Sequence, residues 1–141
     1  MASEPKTRPT NASVEEFLAT IEPAQKRADA RAICEMMQRV TGEKPVMWGP
    51  SIVGFGAYAN ANATGKPYDW PLTGFSPRKA NLTLYITPGF GRFADLVDKL
   101  GSVTTGASCL YVRKLADIDP AVLETLVAES VAYMRETYPA P

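Results

Sequence analysis

The chain has no histidine in 141 residues and only two cysteines. The first absence removes every mechanism that needs an imidazole base, an imidazole metal ligand or a histidine pH switch. The second removes a disulfide framework: Cys34 and Cys109 lie far apart in a chain long enough to build its own core. No stretch approaches the roughly 18 apolar residues of a membrane-spanning helix. Neither charge is in excess, since fifteen Lys and Arg balance fifteen Asp and Glu, for a formal net charge of +0 and a pI of about 6.3. Long-range attraction to nucleic acid or an anionic membrane is therefore not expected. Also missing are a G-x-G-x-x-G turn opening a helix, a P-loop, a G-x-S-x-G elbow and a C-x-x-C pair. Residues 1–10 hold two prolines and alternating charges but no apolar secretory segment. Together these absences lead us to expect a cytoplasmic protein with reduced thiols and no nucleic-acid or membrane partner.

What is present is an ordinary globular composition, 45% hydrophobic and 21% charged, at the length of one domain. Ser13-Val-Glu-Glu16 reads as a capping box, and Val14, Phe17, Leu18 and Ile21 follow at helical spacing, predicting a helix over 14–22. Pro23 suits the first turn of a second helix, striped by Ala30, Ile33, Met37 and Val40 and stopped by Gly42. Val53, Phe55 and Ala57 then alternate with Gly54 and Gly56, a strand with glycines on one face. Residues 60–68 read as a loop, and 72–75 as a second strand. Leu82, Leu84 and Ile86 give the clearest half-buried strand. Phe93, Leu96, Val97 and Leu100 predict a helix, Cys109–Arg113 a further strand, and Asp119-Pro120 the start of a long C-terminal helix. The order α-α-β-β-β-α-β-α predicts one α+β domain over 13–141, behind a flexible tail at 1–12. Its sheet is antiparallel, with helices mainly on one face.

Two stretches concentrate chemistry. In Met47-Trp-Gly-Pro through Tyr58, Trp48 and Tyr58 can wall a ligand pocket, each with one polar handle; the alternative is that Trp48 is a plug beneath the sheet. In Gly74-Phe-Ser-Pro-Arg-Lys79, a turn presents the Ser76 hydroxyl, the Arg78 fork and the Lys79 point charge, which suits an anion. The alternative pairs Arg78 with Asp117 or Asp119. Tyr85, Tyr111 and Arg113 alternate with apolar positions and so fall on the sheet face opposite the helices. There they bind a ligand, bury in a dimer, or are covered by the 60–75 segment. Cys109 and Cys34 are expected to be buried and inert, with no histidine to activate either. Carboxylates gather at Glu15, Glu16 and Glu22, at Asp95 and Asp98, and at Asp117 and Asp119. Oxygen-only sets of this kind suit hard cations and hold iron weakly; the alternative is helix capping or solvation.

The combination of Val14-Glu-Glu-Phe-Leu18, Met47-Trp-Gly, Ser51-Ile-Val-Gly-Phe-Gly-Ala-Tyr58, Gly74-Phe-Ser-Pro-Arg-Lys79, Leu82-Thr-Leu-Tyr85, Ser108-Cys-Leu-Tyr111 and Leu115-Ala-Asp-Ile-Asp119 resembles the YdhG-like family of bacterial domains of unknown function. The resemblance covers nearly the whole chain after the tail and implies a compact α+β fold. Through one family member described as a frataxin-like iron chaperone it also implies iron, for which Glu15, Glu16 and Glu22 are the candidates here. At the start of the last strand the family carries a lysine where this chain has Ala107.

Three functional expectations stand side by side. One is a small, possibly anionic ligand in a pocket lined by Trp48, Tyr58, Ser76, Arg78, Lys79 and Tyr111. The others are an intracellular iron carrier and a domain that binds a protein partner or a second copy of itself. No base–nucleophile pair can be named, so a non-enzymatic protein is expected.

Overall fold

A computed structural model describes residues 9–61 and 67–138. Ser13 Oγ accepts from the Glu16 amide at 3.1 Å and opens α1, Val14–Ala19. The helix is shorter than its periodicity predicts. Glu22 precedes Pro23, and a residue before proline is pushed out of the helical region, so the chain unwinds after Ala19. The Ile21 amide still donates to Leu18 O, and Ile21 is buried beyond the helix end. α2 runs Ala24–Thr41 and buries Ala30, Ile33, Cys34 and Met37. It stops at Gly42, whose φ of 71° is the left-handed conformation that glycine adopts without a Cβ clash.

Among the described residues eight strands follow where four were expected. They are β1 Pro45–Trp48, β2 Ile52–Phe55, β3 Tyr58–Ala61, β4 Pro67–Trp70, β5 Thr73–Pro77, β6 Leu82–Tyr85, β7 Thr104–Thr105 and β8 Cys109–Val112. Six form one antiparallel sheet in the order β1-β2-β5-β6-β8-β7, and β3 pairs with β4 in a separate two-stranded ribbon. A 3₁₀ turn at Gly91–Phe93 leads into α3, Ala94–Leu100, ahead of β7. The Asp119 carboxylate caps α4, Pro120–Thr137, by accepting from the Ala121 and Val122 amides at 2.9 and 3.3 Å. The α+β class, the antiparallel sheet and the helices gathered on one face are all as expected.

Strand register sorts the side chains. Met47 pairs with Val53, Val53 with Phe75, Phe75 with Leu84 and Leu84 with Leu110, so these five share one face. That face packs against Leu18, Ile33, Met37, Leu100, Leu123, Leu126 and Val127 from all four helices. Arg39 joins α2 to Glu124 of α4 at 2.7 Å, and Arg135 of α4 donates to Thr41 O at 2.6 Å.

Of residues 60–68, read from sequence as a loop, 60–61 end β3 and 67–68 begin β4, and 62–66 lie outside the described residues. Asn, Ala, Gly and Pro carry turn chemistry but no alternation. Pro67 is accepted because it stands first in an edge strand, where a missing N–H breaks no ladder. Pro45–Trp48 forms a strand that the sequence reading did not single out, and the turn begins at Gly49. Of the expected tail, Thr10 donates its amide to Met47 O at 2.8 Å, and residues 1–8 lie outside the described residues.

Phe75 is fully buried in the middle of the helix-facing layer, so Phe75→Ala should lower unfolding free energy by about 3–5 kcal/mol in a denaturant titration. A Cβ at Gly54, on the opposite face, would meet Trp48 Cδ1 at 2.5 Å and Pro71 Cβ at 2.9 Å. Gly54→Ala should therefore cost about 1–3 kcal/mol by overpacking, although it adds apolar surface.

Candidate functional site

The sheet face away from the helices is paved with aromatics over a glycine floor. Gly54 of β2 lies directly opposite Gly74 of β5, and Gly74 opposite Tyr85 of β6. With no side chain at the two glycines, the Trp48 indole lies against Gly54 and Pro71 closes over it. Trp70 of β4 completes a chain of rings. Its centroid is 6.4 Å from Trp48 and 6.2 Å from Tyr85, both edge-on, the arrangement that ring quadrupoles favour. Trp48 is thus a plug, but of the face opposite the helical core.

The other end of this face is polar. Cys109 pairs with Tyr85 and Tyr111 with Thr83, which brings Tyr85, Cys109 and Tyr111 to the same side of β6 and β8. Arg78, exposed just after β5, reaches Tyr85 and donates to its hydroxyl at 3.4 Å. That hydrogen bond, with the charge interactions of Tyr85, Cys109 and Tyr111, raises the guanidinium pKa and keeps it protonated. The Tyr111 phenol is pushed above its ordinary value, chiefly by charge repulsion from Cys109 and a hydrogen bond to it, with Arg78 pulling the other way. Among the described residues no carboxylate pairs with Arg78. Of the two expected partners, the Asp119 carboxylate caps α4, and Asp117 makes no ion pair with Arg78.

The six residues grouped by sequence therefore separate. Trp48, Arg78 and Tyr111 share the outer face, joined through Trp70 and Tyr85. Ser76 is on it too but is buried, its hydroxyl donating to Ser51 O at 2.8 Å to tie down the β1–β2 turn. Tyr58 packs with Leu72 and Met134, its ring 4.9 Å from Tyr138 beside the end of α4. Lys79 lines a different cleft, with Lys26, Asp29, Arg113 and Lys114. Trp70 was the residue sequence reasoning did not single out. Its only signal was its place in the 60–75 segment, one of the covers considered for the tyrosine face.

A second hollow of about 530 Å³ opens beside Trp48, between the α2–β1 turn at Gly42–Lys44, the Gly56–Ala57 bend, Pro9 and Asp69. Its size is within the range of small-molecule sites. Glu43 at its rim is paired with Arg135 at 3.6 Å.

Two of the three carboxylates named for iron are held in ion pairs. Glu15 bridges to Arg31 at 2.7 Å, which holds its carboxyl below the ordinary range, and Glu22 bridges to Arg27 at 3.0 Å. The Glu16 amide is the donor to Ser13 in the α1 cap. Among the described residues no three His, Cys, Asp or Glu come together as a metal-binding group. Across family models, curated proteins and solved structures, no match to this chain is found.

The two thiols sit in contrasting surroundings. Both are free; Cys34 is buried in the α2 stripe and burial pushes its pKa up to about 11, while Cys109 is half-buried. A raised pKa leaves little thiolate at neutral pH. With iodoacetamide at pH 8, one thiol should react in the folded protein, and peptide mapping should place it at Cys109. Cys34 should become reactive only on unfolding.

Proposed function

We propose that this domain is a non-enzymatic small-molecule binder whose ligand lies on the outer sheet face, its anionic group on Arg78 and its apolar or aromatic body against Trp70, Tyr85 and Tyr111. The observation that carries the reading is Arg78 itself. It is an exposed guanidinium with no carboxylate partner among the described residues, oriented by a phenol and set at the end of a continuous ring chain. A planar five-donor fork beside aromatic surface matches a carboxylate or phosphate on a small organic molecule better than it matches a bare metal ion. No base–nucleophile pair is part of the constellation, which favours binding over catalysis. The YdhG-like resemblance belongs to the same proposal, as a family assignment for the fold.

The test is a thermal-shift panel of nucleotides, phosphates, small carboxylates, ferrous iron and other divalent metals, followed by fluorescence. A ligand at about one hundred times its dissociation constant adds roughly 2.7 kcal/mol, a rise of several degrees. The two tryptophans of the chain, Trp48 and Trp70, both lie on this face, so intrinsic fluorescence reports it selectively. An anion should shift both signals in wild type and neither in Arg78→Ala. A shift that persists in Arg78→Ala refutes the site. A saturable shift with ferrous iron alone, lost in Glu15→Gln, replaces the reading with the iron carrier.

A further inference from the structure

On the other side of the β5–β6 turn, a cleft of about 210 Å³ is lined by Gln25, Lys26 and Asp29 from the start of α2, Lys79 from the turn, and Arg113 and Lys114 after β8. Four cations face it and one carboxylate. The carboxylate is already committed: Asp29 is buried, one oxygen accepting from Gln25 Nε2 at 2.9 Å and the other from the Leu115 amide at 3.2 Å. Lys26 is committed too. Its ammonium donates to the backbone carbonyls of Arg78 and Lys79, fastening the turn to α2.

Among the described residues the remaining three cations have no counter-charge. Lys79, Arg113 and Lys114 are exposed, and among the described residues no carboxylate pairs with any of them. Their gathering is conspicuous in a chain whose formal charges sum to zero. The helix start adds to the imbalance. The N-cap is Pro23, no side chain caps the first turn, and that turn carries no acidic residue but does carry Lys26. A lysine at the positive end of a helix dipole is unfavourable unless an anion joins it. Partial burial already lowers the Lys26 pKa, in the direction a bound anion would reverse.

We propose that this cleft is a second binding site, specific for a phosphate group, in which the Arg113 fork and the Lys79 and Lys114 ammoniums hold the oxygens beside the first turn of α2. Phosphate fits the donor set better than carboxylate does, having more oxygens to spread over three separate cations and a helix end. At 210 Å³ the cleft suits inorganic phosphate or a small phosphomonoester and is too small for a nucleotide. The site shares no side chain with the outer face, so it stands or falls independently of the Arg78 reading.

The experiment is a titration of the ¹⁵N-labelled full chain with inorganic phosphate at low ionic strength. Amides of Ala24, Gln25, Lys26 and Leu115 should shift saturably. Lys79→Ala and Arg113→Ala should each weaken binding by about tenfold, as expected for losing a hydrogen bond to a charged group, and Arg78→Ala should leave it unchanged. Denaturation midpoints of the variants are measured alongside, and Lys114→Gln replaces either alanine variant that is destabilised. Glycerol 3-phosphate binding more tightly than inorganic phosphate identifies a phosphomonoester ligand, and the reverse order identifies the free ion. The proposal is overturned by the absence of a saturable shift at these amides, by succinate binding as tightly as phosphate, or by loss of binding in Arg78→Ala with Lys79→Ala and Arg113→Ala unaffected.

Discussion

The structure turns on the glycine pair at the centre of the sheet. Gly54 and Gly74 face each other across β2 and β5; a Cβ at Gly54 would strike Trp48 and Pro71 on the outer side, and one at Gly74 the backbone of β2. A sheet of this kind must bury two faces with only four helices, and all four pack on one of them. The second face is closed by the chain itself, through Trp48, Pro71 and the β3–β4 ribbon that brings in Trp70. Those groups approach the backbone closely because the strands beneath them carry hydrogens instead of side chains. The glycines thereby decide where the aromatic surface lies, and the polar end around Arg78 begins where that surface stops.

The sequence showed the helices and the helix-facing core well. Capping by Ser13 and Asp119, the Gly42 stop and the apolar stripes of α2 and α4 are local signals, and each has its expected counterpart in the structure. The alternation of Leu82, Leu84 and Ile86 marked β6 equally clearly. The ribbon was hidden because its stability comes from what it covers, so its residues need no alternating pattern of their own. The site was half legible. Period-two alternation placed Tyr85 and Tyr111 on the outer face, yet nothing local distinguishes Arg78, which turns onto that face, from Lys79, which turns away from it. Adjacent residues on a tight turn point in divergent directions, and only the turn geometry decides which cation goes where.

Overall neutrality conceals a sorted charge distribution. On the helical side four ion pairs form among the described residues, Glu15 with Arg31, Glu22 with Arg27, Glu124 with Arg39 and Glu43 with Arg135. Exposed pairs of this kind contribute little to stability, but each removes a charge from the list of groups free to meet a ligand. Arg78, Lys79, Arg113 and Lys114, which have no carboxylate partner among the described residues, stand on the two sides of one short connection, the turn after β5. Net charge alone cannot reveal this, because it sums over pairs and orphans alike.

The two outer strands of the main sheet also have a bearing on how the molecule behaves in company. β7 is only two residues long, and β1 starts with a proline and has its Met47 carbonyl taken by Thr10. An open sheet with long bare margins is a template for pairing with another chain. Here one margin is too short to template anything, and the other is partly occupied by the chain's own N-terminal segment. The six-stranded sheet can therefore stand at high concentration without its margins inviting strand-by-strand growth.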